Sequence, residues 1–375
     1  MSKKVDVATL PKEAKKALET FTEFDIASFN DSGANGYVMI GHHNVLQREV
    51  AIKIYFHEQH ERHQEPALLA SISHSNILKV YDARNLSSTC SFFLMQSASD
   101  GDFYTYLQKY NIPNLYAHKL LCELLAGVAA LHSSPNFLVH RDIKPENLLI
   151  NNETTIIADF GSVRKVDEET GKTPSSKHSI LYRPPEAFGS EAYFDFSSDV
   201  YQAGLIGYLL FGGSISNDLL DHLTTKEKVK LGQIKKEYGV GYETSIFVDS
   251  CIEKRIKTTK ISDFSSLPFF VPESVKRALR KAICERSKRY NSPSEFLAAL
   301  VALRPTLPNW VFDGGSNTYI LDKWKGNDYV LFEEGGRWHV KRKKSTGTDF
   351  RKDSSLSGAT VEEAYIKLKG KILLP

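Results

Sequence analysis

The chain has 375 residues, 41% of them hydrophobic, and a net charge of +3, which leaves room for a two-lobed domain and a small additional one. Its four cysteines, Cys90, Cys122, Cys251 and Cys284, form no CxxC pair, so a reducing, cytoplasmic setting is expected rather than a disulfide scaffold. No apolar run approaches the roughly 18 residues of a membrane span, and the first residues lack the apolar core of a signal peptide, so a soluble chain is expected.

Residues 1–22 are expected to form a helical extension. Asp31-Ser32-Gly33-Ala34-Asn35-Gly36-Tyr37-Val38 reads as a hairpin turn between two strands, and its glycines allow the backbone to approach an anion closely. Glu49–Tyr55 is a short β-branched, apolar run that predicts a strand with Lys53 embedded in it. Taken alone, such a lysine is a solvated edge residue. His57, His60 and His63 recur at intervals of three, but with no HExxH string or nearby cysteine pair they read as a solvated helix face. The run Glu65–Ile77 predicts a helix, and Pro66 requires it to start near Glu65 or to kink there. Ser91–Gln96 is an apolar strand running into a polar connector, in which Asp102 stands at an N-cap position before Phe103.

Leu120, Leu121, Leu124, Leu125, Val128 and Leu131 share a helix face that leads into His140-Arg141-Asp142-Ile143-Lys144-Pro145-Glu146-Asn147. That stretch packs a base, a lysine and a metal-binding amide into one loop. Thr155–Ala158 is strand-like and ends at Asp159-Phe160-Gly161, a carboxylate beside a flexible glycine that suits Mg²⁺. A polar stretch holding Thr170, Thr173, Ser175, Ser176 and Ser179 follows, up to Tyr182-Arg183-Pro184-Pro185-Glu186. Within it, Gly171-Lys172-Thr173 looks like the end of a phosphate loop, but Val166 stands where such a loop needs glycine. Beyond Asp199, helical spacing recurs at Leu205, Ile206, Leu209 and Leu210, at Val275, Leu279 and Ile283, and at Phe296, Leu297 and Leu300. The segment from Leu219 to Pro272 is lysine-rich and reads as a solvated helix face.

In this order, over about Phe24 to Arg304, the strings resemble the eukaryotic-type Ser/Thr protein kinase family. The resemblance implies an α+β, two-lobed protein kinase fold, with a small β-rich N-lobe over 23–98 and a helical C-lobe over 99–306. It implies ATP and Mg²⁺ as cofactors and Ser/Thr hydroxyls of proteins as substrates, Lys144 favouring these over Tyr. Asp142 is then the base that orients the hydroxyl and Lys144 offsets phosphoryl charge. Lys53, paired with Glu65 or else with Glu61, anchors the nucleotide phosphates, and Asn147 and Asp159 hold the metal. Gly33, Gly36, Val38, Ala51 and Leu149 fall at nucleotide-contacting positions. Gln96 and Ala98 would pair with adenine, Met95 would limit the back pocket, and Asp102 either accepts a ribose hydroxyl or caps its helix. The resemblance further implies that Asp199 holds the catalytic-loop backbone, that Glu186 pairs with Arg289, and that Ser179 bonds Lys144 and Asp142. Arg141 would pair with a phosphate added to the 162–179 segment by autophosphorylation. Two positions depart from the pattern: Asp31 stands where the first loop glycine is expected, and Pro66 follows the ion-pairing glutamate.

The resemblance does not extend to 309–375. Alternating runs at Thr318–Trp324, Asp328–Glu333 and Arg337–Lys343 predict a small antiparallel sheet, with a tight turn at Glu334-Gly335-Gly336. Thr360-Val361-Glu362-Glu363 predicts a capping box opening a last helix. This stretch carries 12 Lys and Arg against 9 Asp and Glu, an excess equal to the whole chain's +3. Its Lys341-Arg342-Lys343-Lys344 run, beside Trp338 and Tyr329, offers a surface to nucleic acid or an acidic protein partner; docking, autoregulation and simple packing are the other roles open to it. The rival to an active kinase is a pseudokinase scaffold acting through this tail, for which Asp31 and Pro66 are the supporting departures. Small-molecule phosphorylation is disfavoured by the full pattern ending at Glu186.

Overall fold

The computed structural model describes residues 5–33, 36–57, 65–175 and 179–372. Glu61, His60, His63, Ser176 and Lys177 lie outside the described residues.

Helix α1 (Lys12–Thr20) is amphipathic, and it buries Ala14 and Ala17, with Leu10 and Phe21 flanking it, against the first sheet. That sheet contains β1 (Phe24–Gly33), β2 (Gly36–His43) and β3 (Arg48–Phe56), then, after α2 (Glu65–Ser71), β4 (Val80–Asn85) and β5 (Cys90–Gln96). Its antiparallel order is β1-β2-β3-β5-β4. Alternation along β3 sends Val50, Ile52 and Ile54 towards the cluster that includes α1, and Ala51 and Tyr55 into the main core. Lys53 has the parity of the second set, which is how a lysine comes to lie inside rather than on the rim of the sheet. Gly36 is required by contact: a Cβ there would lie 1.9 Å from the Ile54 carbonyl oxygen.

The helical lobe begins with α3 (Phe103–Lys109) and α4 (Asn114–His132), followed by β6 (Leu138–Val139) and the hairpin β7 (Leu148–Asn151) and β8 (Thr154–Ile157). Short strands β9 (Arg164–Lys165), β10 (Thr173–Pro174) and β11 (Tyr193–Phe194) lead to α5 (Phe196–Leu210). Helix α5 is buried along nearly its whole length. It packs closely enough on α8 (Glu273–Ile283) that a Cβ at Gly207 would lie 2.6 Å from Leu279. Between them, α6 (Thr225–Tyr238) and α7 (Tyr242–Lys257) form the lysine-rich segment. Of α6 only Leu231 is buried, but α7 buries Val248, Cys251, Ile252 and Ile256 in the main core, so the solvated face expected of the whole segment describes α6 and not α7. Helix α9 (Pro293–Leu303) ends the lobe.

The last region is a five-stranded antiparallel meander, β12 (Trp310–Asp313), β13 (Thr318–Trp324), β14 (Asn327–Glu334), β15 (Arg337–Lys344) and β16 (Arg351–Gly358), closed by α10 (Val361–Ile372). The predicted turn is present, with Gly335 and Gly336 both at positive φ (62° and 72°) and Glu334 paired with Arg337, the geometry of a two-residue hairpin. The capping residue is Thr360, whose hydroxyl accepts the Glu363 N–H at 3.2 Å. The return contact shifts by one residue, Glu363 accepting the Ala359 N–H at 2.8 Å.

This sheet shares its core with the helical lobe. Phe269 packs against Tyr319 and Tyr365, each at 4.9 Å between ring centroids, and Trp310 is 0% exposed. The Asn114 side-chain amide donates to the Pro308 carbonyl at 3.0 Å, and Leu115 N–H donates to the Asn309 side chain at 3.1 Å. Trp310→Ala should therefore lower stability by about 3–5 kcal/mol. Because the two regions share a core, urea denaturation should show the loss as one shifted transition, not as separate melting of the tail.

Candidate active site

The catalytic loop is held from behind by α5. Asp199, 0% exposed in the first turn of that helix, accepts the His140 N–H at 2.8 Å and the His132 imidazole N–H at 2.8 Å on Oδ2, and the Arg141 N–H at 2.9 Å on Oδ1. Arg141 is thereby kept at φ 70°, a conformation that costs a non-glycine residue about 1–3 kcal/mol. One turn further on, Gln202 accepts the Ile143 N–H at 3.0 Å and donates to the carbonyls of Arg141 (3.3 Å) and Tyr182 (3.1 Å). Sequence reasoning gave Gln202 and His132 no role. The available signal was an amide three residues after Asp199 on an otherwise apolar helix face.

Held in this way, the loop converges on one carboxylate. Lys144 Nζ and Asn147 Nδ2 each donate to Asp142 Oδ2 at 3.0 Å, and Asn147 Nδ2 also reaches the Asp142 carbonyl at 2.8 Å. Among the described residues, Asp142 Oδ1 and Asn147 Oδ1 make no hydrogen bond, which leaves one oxygen to accept a hydroxyl proton and one hard donor for a cation. Ser179 makes no hydrogen bond to Lys144 or Asp142 among the described residues; the pair closes without it.

The β7–β8 hairpin brings Asp159 to the same end of the cleft, since Leu148 pairs with Ile157 and Ala158 N–H donates to the Asn147 carbonyl at 2.9 Å. Lys53 Nζ lies 2.9 and 3.1 Å from the two Glu65 oxygens and 3.4 Å from Asp159 Oδ1. Burial would lower the Lys53 pKa, but Glu65 and Asp159 outweigh it and raise the value above that of an ordinary lysine. Burial would likewise raise Asp159, but Lys53, His140 and Lys144 hold it below the usual carboxylate range. Glu65 also accepts the Phe160 N–H at 3.2 Å, and the Phe160 ring meets His140 edge-on at 5.4 Å. Pro66 is the second described residue of α2, and the Lys53–Glu65 pair closes with it in place. Half-exposed Asp159 and the open Asn147 oxygen are hard-oxygen donors of the kind that suit a divalent cation.

Above this cluster, Val38 sits opposite Lys53, and Ala51 opposite Met95, in the ladder. Val38 and Leu149 pack against the same core cluster as Ala51. Gln96 N–H is used by the Lys79 carbonyl at 2.9 Å, whereas the Ala98 N–H has no acceptor among the described residues. Asp102 caps α3, taking the Thr105 N–H at 2.7 Å and the Thr105 hydroxyl at 3.2 Å. Gly33 closes β1 opposite Gly36, and Asp31 is exposed.

The following segment is tied down at both ends. Strand β10 pairs with β11, and Arg141 Nη1 donates to the Pro174 carbonyl at 3.1 Å. Thr173 is buried, while Thr170 is exposed and bonded to Asp167 at 2.9 Å. Glu186 and Arg289 form a bidentate pair at 2.7 and 3.0 Å, and Ser198 donates to Glu186 at 2.8 Å. Two members of the basic run on β15 are engaged locally: Lys341 lies over Phe332 and Phe350, and Lys343 lies over Phe350 and 3.6 Å from Asp328, whereas Arg342 and Lys344 are exposed. Tyr329 is buried and so withdrawn from any stacking role.

Burial alone would raise the Glu186 pKa, but Arg289 and Ser198 lower it below the ordinary 4.5. A carboxylate depressed in the folded state contributes stability above its unfolded pKa and loses that contribution as pH falls through the folded value. The urea midpoint should therefore drop as pH falls below about 4.5, and Glu186→Gln should flatten this acid limb while lowering stability at neutral pH.

The sequence resembles those of several protein kinases. Calcium-dependent protein kinase 6 of Plasmodium berghei is 28% identical over 190 residues, 49% of this chain and 12% of that protein. Serine/threonine-protein kinase pkn2 of Myxococcus xanthus is 29% identical over 50% of this chain and 24% of its own, and serine/threonine-protein kinase KIN4 of Saccharomyces cerevisiae is 30% identical over 53% and 26%. The chain thus spans between 12% and 26% of the length of these relatives. The family model for the protein kinase domain matches residues 31–285, most of the chain, and on that match and this geometry the chain belongs to the protein kinase family.

Proposed function

We propose that the chain transfers the γ-phosphoryl group of ATP, in the presence of Mg²⁺, to Ser or Thr hydroxyls of protein substrates. The observation that carries this reading is the closed Lys53–Glu65 pair, 2.9 Å, at one end of a cleft whose other end offers an unpaired oxygen on Asp142. Lys53, kept cationic by Glu65 and Asp159, holds nucleotide phosphates. Asp142 orients the acceptor hydroxyl and takes its proton, and Lys144 offsets charge developing on the transferred group. Asn147 and Asp159 would hold the metal, which supplies charge neutralisation at the phosphates. Positioning and charge provide most of the acceleration, because the transition state is loose.

Val38 and Ala51 above and Leu149 below suit a flat base, with Gly33 and Gly36 near the phosphates and the free Ala98 N–H and the Gln96 carbonyl at the base edge. Since Thr105 already occupies both Asp102 oxygens, capping is its first role and a ribose contact a secondary one. Thr170, exposed in the segment after Asp159, is the favoured autophosphorylation position in that segment. The four free thiols favour a cytoplasmic setting, and among the described residues no helix is long and apolar enough to cross a membrane.

The scaffold alternative draws on Asp31 and Pro66. The formed Lys53–Glu65 pair and the exposure of Asp31 favour the enzyme instead. Asp142→Ala or Asp159→Ala should reduce phosphoryl transfer from labelled ATP at least about 100-fold, followed by intact mass and by labelling of a Ser/Thr protein substrate, with unchanged circular dichroism. Parental rates in either variant would overturn the assignment.

A further inference from the structure

The most exposed apolar surface among the described residues is the turn that joins α6 to α7. Tyr238, Val240 and Tyr242 are 61%, 86% and 77% exposed there, and Ile246, one helical turn beyond Tyr242 on the same face, is 45% exposed. No other nine-residue stretch among the described residues exposes as many large hydrophobic side chains. The turn projects: a Cβ added at Gly239 or Gly241 would meet nothing within 4 Å. It is also held in shape. Gly239 N–H donates to the Lys235 carbonyl at 3.0 Å, and Gly241 N–H donates to the hydroxyl of buried Thr244 at 3.0 Å.

The charge around this tip has one sign in excess. Over 226–243 five lysines stand against Glu227, Glu237 and Glu243, and Glu227 is engaged by Arg255 of α7 and by Thr224. Lys230 lies over the Phe247 ring at 5.4 Å. Lys226, Lys228, Lys235 and Lys236 are exposed, and their side chains make no hydrogen bond or ion pair among the described residues.

Apolar groups on a rigid tip gain by leaving water, and the convex shape decides what receives them. A second copy meeting the turn across a two-fold axis would set Lys235 and Lys236 against their own counterparts, which like charge opposes. A protein partner would have to offer a preformed cavity, whereas a lipid surface opens around the tip. Two tyrosines flanking a valine suit that boundary, because each ring has an apolar body and a polar hydroxyl. Lysines beside them reach anionic headgroups while their stems cover apolar surface. We propose that the α6–α7 turn binds the surface of a membrane containing anionic phospholipids, with Tyr238, Val240 and Tyr242 entering the headgroup boundary and Lys235 and Lys236 pairing with lipid phosphates. The chain lies on such a surface and does not span it through this turn. The site is independent of phosphoryl transfer and separate from the basic run on β15.

Vesicle sedimentation tests this on the full chain, with vesicles of phosphatidylcholine alone and of equal parts phosphatidylcholine and phosphatidylglycerol. The chain should sediment with the second and stay in solution with the first. Val240→Asp should weaken binding about tenfold or more, and Lys235→Ala should weaken it roughly fivefold, as should Lys236→Ala. All three positions are exposed, so thermal unfolding of the variants should match that of the parental chain. Val45→Asp, at a 72% exposed position in the turn between β2 and β3, should leave binding unchanged. In Val240→Trp the fluorescence should shift to the blue on adding anionic vesicles, beyond any change in the parental chain, whose tryptophans are Trp310, Trp324 and Trp338. Binding untouched by Val240→Asp, no blue shift in Val240→Trp, or binding lost in Arg342→Ala with Lys344→Ala but kept in the α6 variants would overturn the proposal. No association with either vesicle would overturn it and leave the tip to a protein partner. A lipid-free dimer in sedimentation velocity that Val240→Asp dissolves would overturn it in favour of a second copy.

Discussion

The fully buried Asp199 carboxylate is the constraint on which the active site depends. A charge removed from water is tolerated only when hydrogen bonds replace its hydration, and here the two oxygens take three, from His132 and from the His140 and Arg141 backbone. Those bonds carry the rigidity of α5, the most buried helix of the lobe, into a loop that has little regular structure of its own. They also keep Arg141 in a left-handed conformation, and this turns the chain so that Asp142, Lys144 and Asn147 meet. Gln202 repeats the device one turn along the same helix and extends it to Tyr182. The catalytic loop and the segment that follows Asp159 are thus referred to a single helix face.

The second coupling runs between the lobes. Glu65 receives Lys53 from the sheet and the Phe160 N–H from the segment after β8, so one side chain on a short helix reads the position of both. Lys53 in turn lies between two carboxylates, and its raised pKa together with the lowered Asp159 value describes a mutually stabilised set of charges. Moving α2 would break the ion pair and release the Phe160 backbone together. For that reason the closed pair weighs more for a competent site than the presence of any one motif.

Local regularities were legible in the sequence, and what depends on tertiary contact was not. Strands β13 to β15 announce themselves by alternation and by the Gly335-Gly336 turn. Strand β16, Arg-Lys-Asp-Ser-Ser-Leu-Ser-Gly, escaped because only Leu356 and Gly358 of its residues are buried, and a polar edge strand has little hydrophobic period to read. Strand β12 is four residues long, too short for a pattern. At the candidate site, Lys53, Glu65, Asp142, Asn147 and Asp159 were singled out by their strings, and their convergence in space follows from the β7–β8 register and from β3 parity. The part of Gln202 was hidden because the spacing of a buried amide says nothing of its partners. Ser179 shows the converse: aligning a residue with a family position does not create its hydrogen bond.

The C-terminal region shows how a composition signal and a structural one can diverge. The whole net charge of the chain falls in it, yet Lys341, Lys343 and Lys352 are set over aromatic rings or against Asp328 and Glu334. A cation on a ring face satisfies part of its field locally, and a paired lysine is less available to an incoming anion. The region's less obvious assets are apolar: Trp310 locked in the shared core, and Tyr319 and Phe312 at the margin of the lobe. Because Phe269 packs on Tyr319 of the sheet and on Tyr365 of α10 alike, one ring of the lobe fixes both layers of the C-terminal region.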